Sequence, residues 1–147
     1  MGKNSVVDID LSVTKKKQFR IDKDDNRIIE LNTSDMSILS RLQESYPKLD
    51  ELSTKAMSLS EDDTLETTVD VLNSIDKEMR QILNFIFDSD IADVCAPEGS
   101  MFDMFNGEFR FEHIVAVLVG LYEDNIDKEY KLMVKNVRKH TDKYTGK

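Results

Sequence analysis

The sequence predicts an α+β fold that is mainly helical, with a small N-terminal antiparallel β-sheet packed on a bundle of about five helices. Apolar and polar residues alternate through residues 6–13, which indicates a half-buried strand. From Met36 to Val137, apolar residues recur at helical spacing, and the longest such pattern comes last. No apolar run approaches the roughly 18 residues of a membrane-spanning helix, so no membrane-spanning helix is expected.

The β region is expected over residues 5–31, as a hairpin or as three short strands. The first strand would be residues 6–13, the second would include residues 19–21, and the third would be residues 27–31. Aspartates and an asparagine in residues 22–26 indicate the turn between the last two strands. Because so small a sheet is not stable alone, we expect it to pack on the helices.

The helical region is expected over residues 34–140. Asn32, Thr33 and Ser34 are all suitable N-caps for a first helix, and Pro47 is expected to separate it from a second one. A third, longer helix would be capped by residues 60–63.

The third helix carries an apolar stripe between Leu65 and Phe87, and a short fourth helix would end before Pro97. The final helix is expected to span about residues 110–140, leaving residues 141–147 as a frayed tail of a single domain, residues 1–147. The residues expected in the core of the long helices are Leu72, Ile75, Met79 and Leu118.

Charge is distributed unevenly along this acidic chain, whose formal net charge is −9. Residues 44–127 hold 20 acidic and 5 basic side chains, whereas residues 128–147 hold 7 basic and 2 acidic ones. The acidic part disfavours nonspecific binding to nucleic acid because like charges repel. The basic end either complements the dipole of its own helix or meets an acidic partner.

Two candidate metal or catalytic patterns have simpler structural interpretations. Asp22, Asp24 and Asn26 match the first ligand spacings of a calcium loop, but Arg27 and Thr33 stand where such a loop needs glycine and glutamate. We therefore expect a hairpin turn there.

Cys95 and His113 could form a thiol and base pair, but Cys95 follows an apolar patch typical of a buried thiol. The sequence predicts no catalytic, metal or cofactor site. With one cysteine and no apolar leader, a reducing cytoplasmic compartment is expected.

Large apolar residues are concentrated between Gly99 and Gly107 and just beyond. Either they form a lid on the helical core, or they form an adaptable patch for an apolar partner, since Met and Phe are favoured at such surfaces. The Asn106-Gly107 pair indicates a tight turn within the group. The candidate partner-binding residues are Met101, Phe102, Met104, Phe105 and Phe109.

The pattern Gly99-x-x-Phe102-x-x-Phe105-x-Gly107, followed by a long C-terminal helix, resembles the small tail assembly chaperones of long-tailed, siphovirus-type bacteriophages. The resemblance covers about residues 15–140 and includes the N-terminal strands and the acidic middle helices. It implies a non-enzymatic protein of the host cytoplasm, absent from the mature virion. Its expected partners are the phage tape-measure protein and the tail-tube protein. Separately, self-association through the long helices would present several patches together and raise avidity.

Two other functions are compatible with the same sequence. An acidic phage protein can inhibit a host enzyme by imitating the charge of DNA, and residues 44–127 have the acidic side chains for this. A structural component of the tail is the third possibility. Finished particles would contain a tail component but not a chaperone, and a DNA mimic would compete with DNA in a strongly salt-dependent way.

Overall fold

The computed structural model describes residues 5–11, 16–59 and 64–145, with side chains described as far as residue 135. These residues form four helices: α1 (Ser37–Met57), α2 (Leu65–Phe87), α3 (Ala92–Cys95) and α4 (Arg110–Thr145). Two antiparallel pairs of strands accompany them: β1 (Lys17–Arg20) with β2 (Ile28–Leu31), and β3 (Met104–Phe105) with β4 (Glu108–Phe109). The fold is therefore mainly helical with a small N-terminal sheet, as expected, but it has four helices in place of about five.

The N-terminal sheet is the expected hairpin. Phe19 lies opposite Ile29, and the apolar side of β2 is buried through Ile29 and Leu31. The connecting turn places Asp22 and Lys23 at positive φ, and the Asp24 side chain accepts a hydrogen bond from the Asn26 amide at 2.9 Å. The turn prediction is thus confirmed, and its acidic side chains have turn-forming roles.

The first predicted strand, expected over residues 6–13, is not formed by residues 5–11. These residues pair with no strand of the described chain, and Val6, Val7, Ile9 and Leu11 are 77–85% exposed. The alternation that indicated a strand is present, but a strand also needs a partner edge and a surface that covers its apolar side. Residues 12 and 13 lie outside the described residues.

Pro47 lies inside a continuous helix, so the prediction that it separates two helices is wrong. Proline removes its own amide hydrogen bond and crowds the carbonyl four residues earlier, but the buried side chains of Leu49 and Leu52 hold the following turns on the core and offset this cost. This merging accounts for the lower helix count. The helix also begins at Ser37, about three residues later than expected, where Asp35 accepts a hydrogen bond from the Ser37 amide.

The later helices follow the predicted apolar stripes. The side chain of Thr64 accepts a hydrogen bond from the Thr67 amide at the start of α2, whereas the predicted cap over residues 60–63 lies outside the described residues. Helix α4 continues to Thr145, so the tail expected to fray is helical through that residue, and residues 146–147 lie outside the described residues.

One apolar core joins the sheet to α1, α2 and α4. Helix α2 packs along α1, and the Phe87 ring of α2 meets the buried Tyr122 ring of α4 at 6.0 Å between centroids. The predicted core positions Ile75, Met79 and Leu118 are buried, and Leu72 is partly buried.

Candidate partner-binding site

The segment before the aromatic residues is held against α2 by Arg80. Its guanidinium donates hydrogen bonds to the Ala96 and Gly99 carbonyls at 2.8 and 3.0 Å. Burial alone would lower the pKa of Arg80, but hydrogen bonds and the charges of Asp76 and Asp93 outweigh burial and raise it. Asp76 accepts from Arg80 through one oxygen and from the Met101 amide, at 2.8 Å, through the other. The Arg80–Asp76 pair thus fixes residues 96–101 on the helical body.

The five candidate partner-binding residues, which we call the Met/Phe group, are divided between core and surface, and the first half belongs to the core. Met101 is 0% and Phe102 is 8% exposed. The Phe102 ring lies 5.5 Å from Phe109 and 5.6 Å from Phe111, in edge-to-face contacts between centroids. Met101 and Phe102, which the sequence proposed as contact residues, therefore lie where a partner cannot reach them unless the fold opens. Phe109 is half-buried beside them.

The second half of the group lies at the surface, on the hairpin of β3 and β4. Met104 is 74% and Phe105 is 40% exposed, and together they form the two-residue strand β3. Asn106 and Gly107 both adopt positive φ, which gives the tight turn that the sequence indicated. The structure thus divides the five proposed contact residues into a buried base and an exposed tip.

Arg110, at the start of α4, contacts both the exposed tip and the segment that precedes it. The Arg110 amide donates to the Asp103 carbonyl at 2.8 Å, and its guanidinium donates to the Glu98 carbonyl. The same guanidinium lies 5.8 Å from the centre of the Phe105 ring, close enough for a cation–π contact. On the other side, the ring of His113 meets Phe105 edge-to-face at 6.4 Å. Phe105 is therefore partly exposed and is contacted by two side chains.

A cleft of about 540 Å³ lies beside Phe105, and we call it the hairpin cleft. It lies between the turn of β1 and β2, the segment after α3, strand β3 and the first turns of α4. Its apolar lining includes Ile21, Phe105, Ile114, Val117 and Leu118.

The lining of the hairpin cleft is more basic than acidic, unlike the chain as a whole. Arg20, Arg27 and Arg110 line it with only two carboxylates, those of Asp22 and Glu98. Each arginine already has a carboxylate partner; Arg20, for example, lies 2.6 Å from Asp25, in an exposed pair. Arg27 also donates to the carbonyls of Val94 and Cys95, which ties the β-turn to α3. Because each arginine is already paired with a carboxylate, the apolar lining and not the charge decides what the cleft can hold.

Cys95 and His113 both line the hairpin cleft, so the fold brings together two residues that the sequence considered as a thiol and base pair. Burial raises the pKa of the Cys95 thiol to about 11, with smaller contributions from Arg27, which lowers it, and Asp22, which raises it. The thiol is therefore protonated at neutral pH and is a poor nucleophile. The His113 Nδ1 atom faces the Glu108 carboxylate at 3.1 Å.

The sequence reasoning missed the arginines that build this site. Arg80 follows Asp76 by four residues, a spacing that places the two side chains on the same helix face, but nothing local indicates the carbonyls that Arg80 also binds. Arg110 carries no local signal of its contact with the Phe105 ring.

Within the described part of the chain, no helix combines the length and apolar character needed to cross a membrane. Comparisons with protein families, curated proteins and solved structures gave no match to this chain.

Proposed function

We propose that this protein is a non-enzymatic binding protein that covers an apolar segment of a client polypeptide. The tip of the β3–β4 hairpin and the hairpin cleft would form the contact surface. The observation that carries the proposal is the exposure of Met104 and Phe105 on a hairpin whose base is anchored in the core. A contact residue on a rigid support loses little conformational entropy on binding, which favours affinity.

The chemistry of the cleft defines the kind of client. Its apolar lining accepts an aliphatic or aromatic side chain, so the client must offer an exposed apolar anchor. The resemblance to tail assembly chaperones supports a more specific proposal, in which the client is the phage tape-measure protein or the tail-tube protein. The chaperone would act in the host cytoplasm and leave before the tail is complete.

The contribution of the hairpin tip can be worked from its exposure. Full burial of a Met or Phe side chain contributes about 1.5–3 kcal/mol, and about three-quarters of Met104 and two-fifths of Phe105 are still available to be buried. Burying this remainder gives roughly 2–3 kcal/mol, which corresponds to about a 30- to 150-fold change in Kd.

The test is a double change, Met104→Ser with Phe105→Ser, followed by client copurification from cells that also produce the tape-measure and tail-tube proteins. Val7→Ser with Leu11→Ser is the matched control, because it removes two apolar side chains that are each 80% exposed and do not line the hairpin cleft. We expect both variants to keep the parent's melting temperature within a few degrees, and only the hairpin variant to lose the client. Equal retention of the client by both variants would refute the proposed site.

The two alternative functions predict different results with the same reagents. A structural tail component would be found in purified finished particles, whereas a chaperone would be absent from them. A DNA mimic would compete with DNA for a host enzyme, and the competition would weaken steeply with added salt, independently of Met104 and Phe105.

A further inference from the structure

A long apolar groove runs between α1 and α4, on a different side of α4 from the hairpin cleft. It has two parts, of about 450 and 420 Å³, which share Leu42 of α1. Along the groove α1 and α4 run in opposite directions, since one part is lined by residues 36–42 and 119–130 and the other part by residues 42–53 and 109–116. The groove therefore follows α4 over residues 112–130, which is about 28 Å of helix.

The rim of this groove is acidic. Of the residues lining its two parts, all of them described, four are carboxylates and none is lysine or arginine. The carboxylates are Asp50, Glu112, Glu123 and Asp127. An occupant that fits the groove must therefore be apolar on one side and basic beside it.

The second half of α4 has these properties. Every residue from 127 to 135 is exposed, and of these only Asp127 and Tyr130 line the groove beside α1. Tyr130 and Met133 are 61% and 59% exposed, and they continue the apolar stripe of Ile126 at helical spacing. An exposed stripe of this kind on a long helix usually indicates an interface.

Charge and length also match between the two halves of α4. The helix has 36 residues, so its midpoint falls between residues 127 and 128. By sequence, residues 110–127 hold four acidic and one basic side chain, and residues 128–145 hold six basic and two acidic ones. The second half extends for about 27 Å, close to the length of the groove.

We propose that two copies of this chain pair through antiparallel α4 helices, with residues 128–145 of each copy lying in the α1–α4 groove of the other. A two-fold axis near residues 127 and 128 makes the two contacts identical, as in an isologous dimer. Positions whose numbers add to about 255 then face each other. Asp127 of one copy meets Lys128 of the other, and Glu123 meets Lys131; all four side chains are exposed.

This pairing explains three features together: the unfilled apolar groove, the exposed second half of α4, and the change of charge at the middle of one helix. It is independent of the proposed client site, because the groove and the hairpin cleft use different faces of α4. Such a dimer presents two hairpin tips at once, which would raise the avidity for a client with two binding segments.

The first test is sedimentation equilibrium of the full chain over a concentration series from about 1 to 100 μM, a range that detects micromolar dimers. We expect a monomer–dimer equilibrium. Tyr130→Glu with Met133→Glu places two charges opposite the acidic groove and should weaken dimerisation by at least about tenfold. Val7→Glu with Leu11→Glu adds the same charges at exposed apolar positions that do not line the groove and should leave the dimer unchanged. A parent chain that stays monomeric, or a dimer that tolerates the α4 variant, would overturn the proposal.

Charge reversal tests the direction of the helices. Glu123→Lys and Lys131→Glu should each weaken the dimer, and the two changes combined should restore much of the lost affinity, because the new pair again has opposite signs. No restoration would refute the antiparallel register. All of these positions are exposed, so circular dichroism should report an unchanged fold.

Cross-linking tests the position of the axis. In a Cys95→Ser background, Asp127→Cys should be joined to itself across the axis by a short bis-maleimide, whereas Leu65→Cys should not. If Leu65→Cys is joined and Asp127→Cys is not, the interface lies elsewhere and the proposal is wrong.

Discussion

Arg80 is predicted to be the residue on which the support of the hairpin site depends most. The informative change is Arg80→Met, which keeps most of the apolar stem and removes every donor. Arg80 is 17% and Asp76 is 21% exposed as side chains, so this ion pair is largely shielded from water. Removing one partner of a buried pair costs about 3–5 kcal/mol, mainly because the other charge is left without a partner.

The structure modifies this figure in both directions. Partial exposure lets water reach Asp76 and reduces the cost, whereas loss of the hydrogen bonds to the Ala96 and Gly99 carbonyls adds about 1 kcal/mol. The bond to Asp93 adds little because that carboxylate is 89% exposed. We therefore expect a loss of about 3 kcal/mol in the free energy of unfolding, or a fall in Tm of roughly 6–12 °C for a chain of this length.

The assay is urea denaturation of the parent and two variants, followed by circular dichroism. The matched control is Arg20→Met, because Arg20 and Asp25 form an ion pair of similar geometry at 53% and 85% side-chain exposure. That exposed pair should be worth only about 0–1 kcal/mol. If the two variants lose the same stability, or Arg80→Met loses less than about 0.5 kcal/mol, the anchoring argument is refuted.

Three further predictions concern the core, high pH and metal. Leu118→Ala should lower the free energy of unfolding by about 2–5 kcal/mol, because Leu118 is buried in the main core. A loss below about 0.5 kcal/mol in urea denaturation would show that this side of α4 is not packed. Burial raises the pKa of Tyr122 from 10.0 to about 12, so the folded state disfavours the phenolate. The contribution of Tyr122 to stability should therefore be complete below pH 10 and be lost as pH rises from 10 toward 12. Denaturation midpoints measured across this range should fall less steeply for Tyr122→Phe, and equal slopes would contradict the assignment. Calcium should leave the melting temperature unchanged, because Arg27 and Thr33 replace the glycine and glutamate that a calcium loop needs; a rise of several degrees on adding calcium would disprove it.

Local patterns were sufficient to predict the elements whose partners lie close by in the chain. Strands β1 and β2 are joined by a short turn, so alternation and turn chemistry together predicted the hairpin. Helix α2 has a long apolar stripe, and Ile75 and Met79 on that stripe are buried as expected. Asn106 and Gly107 predicted the turn of a hairpin whose two-residue strands were too short to be recognised.

The remaining features depend on contacts that the local sequence does not specify. Residues 6–13 carry the alternation of a strand, but residues 5–11 pair with no strand of the described chain, and alternation alone does not specify a partner. Pro47 was expected to end a helix because its local cost is evident from sequence, whereas the packing of Leu49 and Leu52 that offsets this cost is not.

The Met/Phe group illustrates the same limit at the candidate site. Its composition is compatible with a lid on the core and with a binding surface. The fold buries Met101 and Phe102, as a lid requires, and leaves Met104 and Phe105 exposed. The division follows from Asp76, which binds the Met101 amide from 25 residues earlier in the chain. No pattern within residues 99–107 contains that information.

The most direct test of the central claim is photo-cross-linking from position 105. Benzoyl-phenylalanine replaces Phe105 in the full chain, and the same group at Tyr46, which is exposed on α1, is the control. After irradiation in cells that produce the phage tail proteins, we predict a covalent adduct between position 105 and the tape-measure or tail-tube protein, and none from position 46. Irradiation that yields no adduct at position 105, or the same adducts from both positions, would contradict the claim that the hairpin tip binds a client.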